Sequence, residues 1–156
     1  MKKFFFDCGT RDAVASLAIL SLRSMIGLMM LIGHGIPKIH AYSAILKQGF
    51  YHSTVFPLSL MSPQVGLVMA IGAEVVASAL IVLGLLTRPA AFVLGFTMVV
   101  AAFGALAAAP WFASGAGPAK EAALMYLIPA ITLILSGAGG YSLDAVLYKE
   151  TKRRRW

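Results

Sequence analysis

Hydrophobic positions in this chain come in long unbroken blocks instead of the short alternating or one-faced patterns of a soluble fold. Ala13 to Ile36 is the first block, Val65 to Leu86 the second, Ala90 to Ala109 the third, and residues 121–137 the fourth. At about 1.5 Å per residue, blocks of this size approach or exceed the roughly 30 Å hydrocarbon core of a bilayer. The pattern predicts an all-α integral membrane protein, a four-helix bundle whose spans are those four blocks. Thr87-Arg88-Pro89 separates the second and third so tightly that they must form an antiparallel hairpin. Pro129 lies inside the fourth and predicts a kink. The stretch from Ala101 through Gly104 to Ala109 consists largely of small residues, which suits close helix approach within the bundle or in a homodimer.

Two segments flank these blocks. Between the first and second, Pro37 to Pro63 is too short for a domain and too apolar for a free loop. Its Ile39, Tyr42, Ile45 and Leu46 recur at helical spacing, and Tyr42, Phe50, Tyr51 and Phe56 are aromatic anchors, so an interfacial segment is predicted. After the fourth block, Ser142 is placed to cap a short helix carrying Leu143, Val146 and Leu147. The chain then runs into a basic tail, 144–156, that ends in Lys152-Arg153-Arg154-Arg155.

Composition strengthens the membrane reading. Of 156 residues, 60% are hydrophobic and 12% charged, too apolar for an ordinary soluble domain. The net charge of +7 does not indicate nucleic acid, because the basic residues gather at the chain ends and turns and not on one module. Counting Lys and Arg outside the blocks gives nine on one side (Lys2, Lys3, Arg11, Arg88, Lys149, Lys152, Arg153, Arg154, Arg155) and three on the other (Lys38, Lys47, Lys120). That asymmetry places both termini in the cytoplasm. Lys2 and Lys3 before an apolar run resemble a signal peptide, but Arg23 interrupts the run and no cleavage motif follows, so a retained helix is expected. Cys8 is the single cysteine, which excludes an internal disulfide, a CxxC pair and a multi-cysteine metal centre.

The candidate chemistry lies in the few ionisable residues within or beside the spans. Arg23 and Glu74 each fall about ten residues into their blocks, near mid-bilayer, and are expected to reach each other. A lone charge there costs at least a few kcal/mol, so each needs a partner or an aqueous cavity. The pair is either a structural tie or the floor of a functional pocket. His34, between Gly33 and Gly35, and Lys38 stand where the first block ends, and Glu121 opens the fourth on the same side. All three are candidate lining for the mouth of that pocket, although a helix-end hydrogen bond for His34 and a dipole role for Glu121 fit equally. Arg88, at the cytoplasmic turn, could clamp the last carbonyls of the second helix. Lys152, Arg153, Arg154 and Arg155 are expected to contact anionic lipid. His34, His40 and His52 have neither the spacing nor the placement for bis-histidine haem, and no metal site is expected. Met25, Met29 and Met30 read as packing.

The ordered set Leu22-Arg23, Gly27, His34-Gly35-x-Pro37-Lys38, Glu74, Gly84-Leu85-Leu86-Thr87-Arg88, Glu121 and Tyr141-Ser142-Leu143-Asp144 resembles the DoxX family of small four-helix bacterial membrane proteins, over roughly Leu17 to Leu147. The resemblance implies an inner-membrane subunit or partner of a redox assembly. Relatives include small subunits of thiosulfate:quinone oxidoreductase and members acting with superoxide dismutase and a sulfurtransferase. It therefore implies quinone as a ligand and a protein partner, with no intrinsic cofactor. The wider superfamily also holds cargo receptors and assembly chaperones, so an assembly protein without redox chemistry is the alternative. The family's polar positions fall on Arg23, His34, Lys38, Glu74, Arg88 and Glu121.

Overall fold

The computed structural model describes residues 8–52, 58–115 and 117–147, and these are helices and connections without a strand. Lys2, Lys3, Phe56, Lys149 and the Lys152 to Arg155 cluster lie outside the described residues.

Helix α1, Ala13–His40, begins where Asp12 accepts a 2.8 Å hydrogen bond from the Ala15 N–H, a side-chain N-cap. It runs past the expected end at Ile36 because Leu31–Gly35 forms one π turn, in which the Ile36 N–H bonds to the Leu31 carbonyl. The wider turn makes room ahead of Pro37, whose ring would crowd the carbonyl four residues back in a regular helix. After a break at Ala41, α2 covers Tyr42–Gln48 and stops at Gly49, so the helical spacing of Tyr42, Ile45 and Leu46 does form a helix. Helix α3, Pro63–Leu83, starts on Ser62-Pro63 and contains a second π turn, Ala73–Ala77. Helix α4, Thr87–Ala105, ends in a third, Ala101–Ala105. Helix α5, Lys120–Ser136, continues through Pro129. Residues 143–147 then form a helical turn whose Ala145 N–H is capped by Ser142 Oγ at 3.1 Å.

Helices α1, α3 and α4 are long and apolar enough to cross a membrane. Helix α5, with 17 residues, spans about 26 Å and is the short member of the expected four. The bundle ends are unlike. Cys8 and Ser16 at the start of α1, the α3–α4 turn, and residues 139–144 after α5 are joined by hydrogen bonds, so both described ends of the chain meet at one end of the bundle. We call this the terminal end. The connections after α1 and α4 lie at the opposite, loop end.

The core is narrow and built largely from small side chains. Ala77, Ala90, Ala91, Ala102 and Ala123 pack with Ile26, Met30, Ile81, Leu94, Met98 and Leu133. Ala102 is fully buried, so this part of the small-residue stretch serves the bundle itself. On α1, a Cβ at Gly27 would fall 2.9 Å from the Ser78 carbonyl oxygen, and one at Gly35 would fall 3.1 Å from that of Glu74, so these glycines let α1 lie directly on the α3 backbone. Large apolar side chains such as Leu17, Met25, Ile32, Val68, Phe92, Ile128 and Leu135 point outward, the arrangement expected when lipid is the solvent. Helix α5 lies along α4, where a Cβ at Gly95 would meet the Ala130 Cβ at 3.3 Å. Gly95→Leu should therefore separate the two helices and cost about 1–3 kcal/mol. Unfolding in a mixed-detergent titration measures this, and an unchanged midpoint would refute the packing.

Candidate functional site

Ionisable residues gather at two levels, and the two charges expected to meet are at different ones. Arg23 is 2% exposed and Glu74 5%. Arg23 Nη1 donates to the carbonyls of Ile81 at 3.0 Å and Val82 at 2.6 Å, and Nη2 donates to the Tyr141 carbonyl. Glu74 instead pairs with Lys38. Side chains on a helix lean toward its N-terminus, so Arg23 reaches toward the terminal end and meets the carbonyls closing α3. A guanidinium there satisfies acceptors and complements the negative end of the helix dipole. Arg23 clamps the last carbonyls of α3, the kind of contact expected of Arg88. Arg88 is half-buried in the first turn of α4.

Asp144 completes this knot. Its Oδ1 accepts from the Leu86 N–H at 2.8 Å and its Oδ2 from the Thr87 N–H at 3.0 Å, while its own N–H donates to the Gly84 carbonyl at 2.9 Å. Asp144 thus caps α4 from 57 residues away, which explains why α4 begins at Thr87, three residues before the expected start. The turn itself needs left-handed backbone at Gly84 (φ 68°) and at Leu86 (φ 50°). Leu86 has a Cβ and pays for that conformation with the Asp144 bond. Gly84 also has no room for a side chain, since a Cβ would fall 2.5 Å from Arg23 Nη1. Residues 139–144 reach α1 as well, through Gly139 N–H to the Cys8 carbonyl at 2.8 Å and Gly140 N–H to Ser16 Oγ at 2.9 Å.

The second level lies toward the loop end, where the π turns of α1 and α3 touch. Lys38 and Glu74 form their ion pair just beyond Gly35, with the Lys38 side chain about a quarter exposed. Among the described residues only one carboxylate oxygen is engaged, for Glu74 Oε2 is buried and has no partner there. Unequal engagement of this kind leaves an acceptor available to a ligand or to a rearranged neighbour. Tyr42, Ile39, Val68 and Ile71 line an open apolar groove of about 360 Å³, which neither Lys38 nor Glu74 lines. Ile39 follows Lys38 in the chain and Ile71 is three residues from Glu74, so the groove lies within about one turn of the pair.

The other expected pocket residues stand apart. His34 is exposed and sits edge-on to Tyr126 of α5, with ring centroids 5.5 Å apart at 88°. Glu121 Oε2 accepts from the Ala113 N–H at 3.2 Å, which ties the α4–α5 connection to the first turn of α5. Lys120 lies over the Trp111 ring at 4.9 Å. Neither Glu121 nor His34 bonds to Lys38 or Glu74 in the described residues. Among those residues no three His, Cys, Asp or Glu side chains are grouped as metal ligands. Two buried hydroxyls that carry no motif, Ser16 in the knot and Ser78 one turn from Glu74, went unread in the sequence. Their only signal there is a polar residue on the inward face of an apolar helix.

Helices long enough to span a bilayer, an apolar exterior and the burial of Arg23 and Glu74 define an integral membrane helical bundle with an acid–base pair, Lys38 and Glu74, inside it. The DoxX family model matches residues 18–107, more than half of the chain, and the protein belongs to the DoxX family. The matched region contains Arg23, His34, Lys38, Glu74 and Arg88; Glu121 and Asp144 lie beyond it. Comparison with curated proteins and with solved structures gives no match.

The ion pair makes a direct prediction. A zero-length carbodiimide should join Lys38 to Glu74 as an amide with loss of one water, and peptide mass spectrometry should find that link in the wild type and not in Glu74→Gln. A link from Glu74 to any other lysine would show that the pairing is wrong.

Proposed function

We propose that this DoxX protein is a multi-pass subunit or partner of a redox assembly in the bacterial inner membrane, and that Lys38 and Glu74 are its chemistry-bearing pair. The observation that carries this reading is the half-satisfied ion pair, with an apolar groove on the same stretches of α1 and α3. The pocket proposed is smaller than the five-residue one expected from sequence, with Lys38 and Glu74 as its polar end and Ile39, Tyr42, Val68 and Ile71 as its apolar side. In the membrane setting we take α5 as a fourth span. Its closing residues meet the start of α1 at the terminal end, and the basic residues of the sequence favour that end as cytoplasmic.

The residues fit a quinone. Lys38 offers ammonium protons to a carbonyl oxygen, Glu74 offers a carboxylate that can hold or release a proton, and the groove offers apolar surface to an isoprenoid tail. A bound quinone would supply the electron-accepting chemistry that none of these side chains has. The pair would bind and orient the head and move a proton at Glu74 Oε2, while electrons come from a partner protein. The lateral opening of the groove suits a ligand that arrives through lipid.

A second reading, a membrane assembly or cargo-binding protein, is favoured by a different observation. Arg23, Asp144 and Glu121 are all engaged in internal contacts, which is what a scaffold presenting its loops to a partner would show. Extraction of the protein purified in mild detergent separates the two. Quinone should accompany the wild type and fall roughly tenfold in Lys38→Met and in Glu74→Gln, the loss expected for one charge-assisted hydrogen bond. A wild type free of quinone, with partner capture intact in both variants, would establish the second reading.

A further inference from the structure

A ligand that takes a hydrogen bond from Lys38 must loosen the ion pair, and a carboxylate 5% exposed cannot simply be left without a counter-group. The structure offers a replacement that the mechanism so far does not use. Ser78 lies four residues beyond Glu74 on α3, toward the terminal end, and is 0% exposed. Side chains at this spacing are neighbours on a helix. Glu74 Oε2 and Ser78 Oγ are both buried, and both lack a partner among the described residues.

Among the described residues Ser78 shares with Thr87 a buried hydroxyl without a partner, and it differs from the hydroxyls that bond back along their own helix. Ser21, Thr97 and Thr132 each donate to the carbonyl four residues back, at 3.0, 2.9 and 3.1 Å, which is how helical Ser and Thr are ordinarily satisfied inside apolar surroundings. For Ser78 that carbonyl belongs to Glu74, in the π turn where α1 approaches closely, and no such bond forms. The hydroxyl proton is therefore free for a side-chain acceptor. The buried acceptor nearest in helical register is the carboxylate of Glu74.

We propose that Glu74 is a two-position carboxylate, paired with Lys38 in the resting protein and turning inward to accept a hydrogen bond from Ser78 when Lys38 is drawn to a ligand. Ser78 is then a positioning residue: it keeps Glu74 satisfied while the ammonium is engaged elsewhere, and it limits the motion to one side chain. No bond is made or broken in the switch apart from hydrogen bonds. The role in ligand exchange rests on the function proposed above, but the Glu74–Ser78 interaction can be tested without a ligand.

The test is a double-mutant cycle on the full chain in detergent, read as the folded-to-unfolded ratio. Lys38→Met removes the first partner, with Lys38→Gln as the alternative where the methionine variant does not fold, and Ser78→Ala removes the second. The combined variant should lose about tenfold more in that ratio than the product of the single losses, because only then is Glu74 stranded. Ser78→Thr should restore the value in the Lys38 background, and the excess should vanish when Glu74→Gln is present. Losses that simply multiply, or an excess that persists with Glu74→Gln, would overturn the proposal. Quinone content of the same preparations separates this from the functional reading. Coupling without quinone supports the switch and removes its redox context, whereas multiplicative losses in a quinone-retaining protein overturn the switch alone.

Discussion

A guanidinium with 2% of its surface exposed has to be given acceptors, and the way Arg23 receives them organises the rest of the bundle. Its partners are main-chain carbonyls from two different places, the end of α3 and the segment after α5. Meeting both requires the post-α5 segment to fold back across the α3–α4 turn. Asp144 fixes it there by capping α4, and Gly139 and Gly140 fix it to the start of α1. Four long helices are thereby stitched at one end by hydrogen bonds between polar groups that an apolar solvent would otherwise leave unsatisfied. The sequence runs Leu22-Arg23, Gly84 to Arg88 and Tyr141 to Asp144 are largely three views of this one knot.

With the terminal end tied, the opposite half of the bundle can carry irregular backbone. One π turn lies in each of α1, α3 and α4, that of α3 near its middle, and those of α1 and α3 touch near Lys38 and Glu74. Such turns often mark functional positions in helices, because they break the regular hydrogen-bond ladder and re-aim side chains. Here they coincide with a carboxylate only half satisfied and with an open apolar groove. Stability and chemistry are therefore assigned to different levels: in the knot Arg23 and Asp144 each make several bonds to backbone, whereas Glu74 is held through one carboxylate oxygen.

Much of the architecture was legible because lipid imposes a simple rule on sequence. The apolar blocks gave α1, α3, α4 and α5 in order. The Ser142 cap was a local signal of the ordinary kind, whereas α3 starts on Ser62-Pro63 and stops at Gly84 and not at the expected Val65 and Leu86. What could not be read depended on direction and distance. Depth along a helix put Arg23 and Glu74 at one level, but a long side chain leaning toward its helix N-terminus moved the guanidinium to another. The cap that starts α4 came from Asp144, far along the chain, and the extension of α1 past Pro37 depended on a π turn with no sequence signature. The polar residues of the site were recognised individually, whereas their partners were not: Glu74 with Lys38, His34 with Tyr126, Glu121 with the Ala113 amide.

The central claim is that the two intramembrane charges serve separate ends, Arg23 in the knot and Glu74 with Lys38. The most direct measurement is a pair of double-mutant cycles on unfolding free energy, one for Glu74→Gln with Lys38→Met and one for Glu74→Gln with Arg23→Leu. The first should show a coupling of about 1 kcal/mol or more, and the second should be additive within roughly 0.5 kcal/mol. Strong coupling between Arg23 and Glu74, with none between Lys38 and Glu74, would contradict the account.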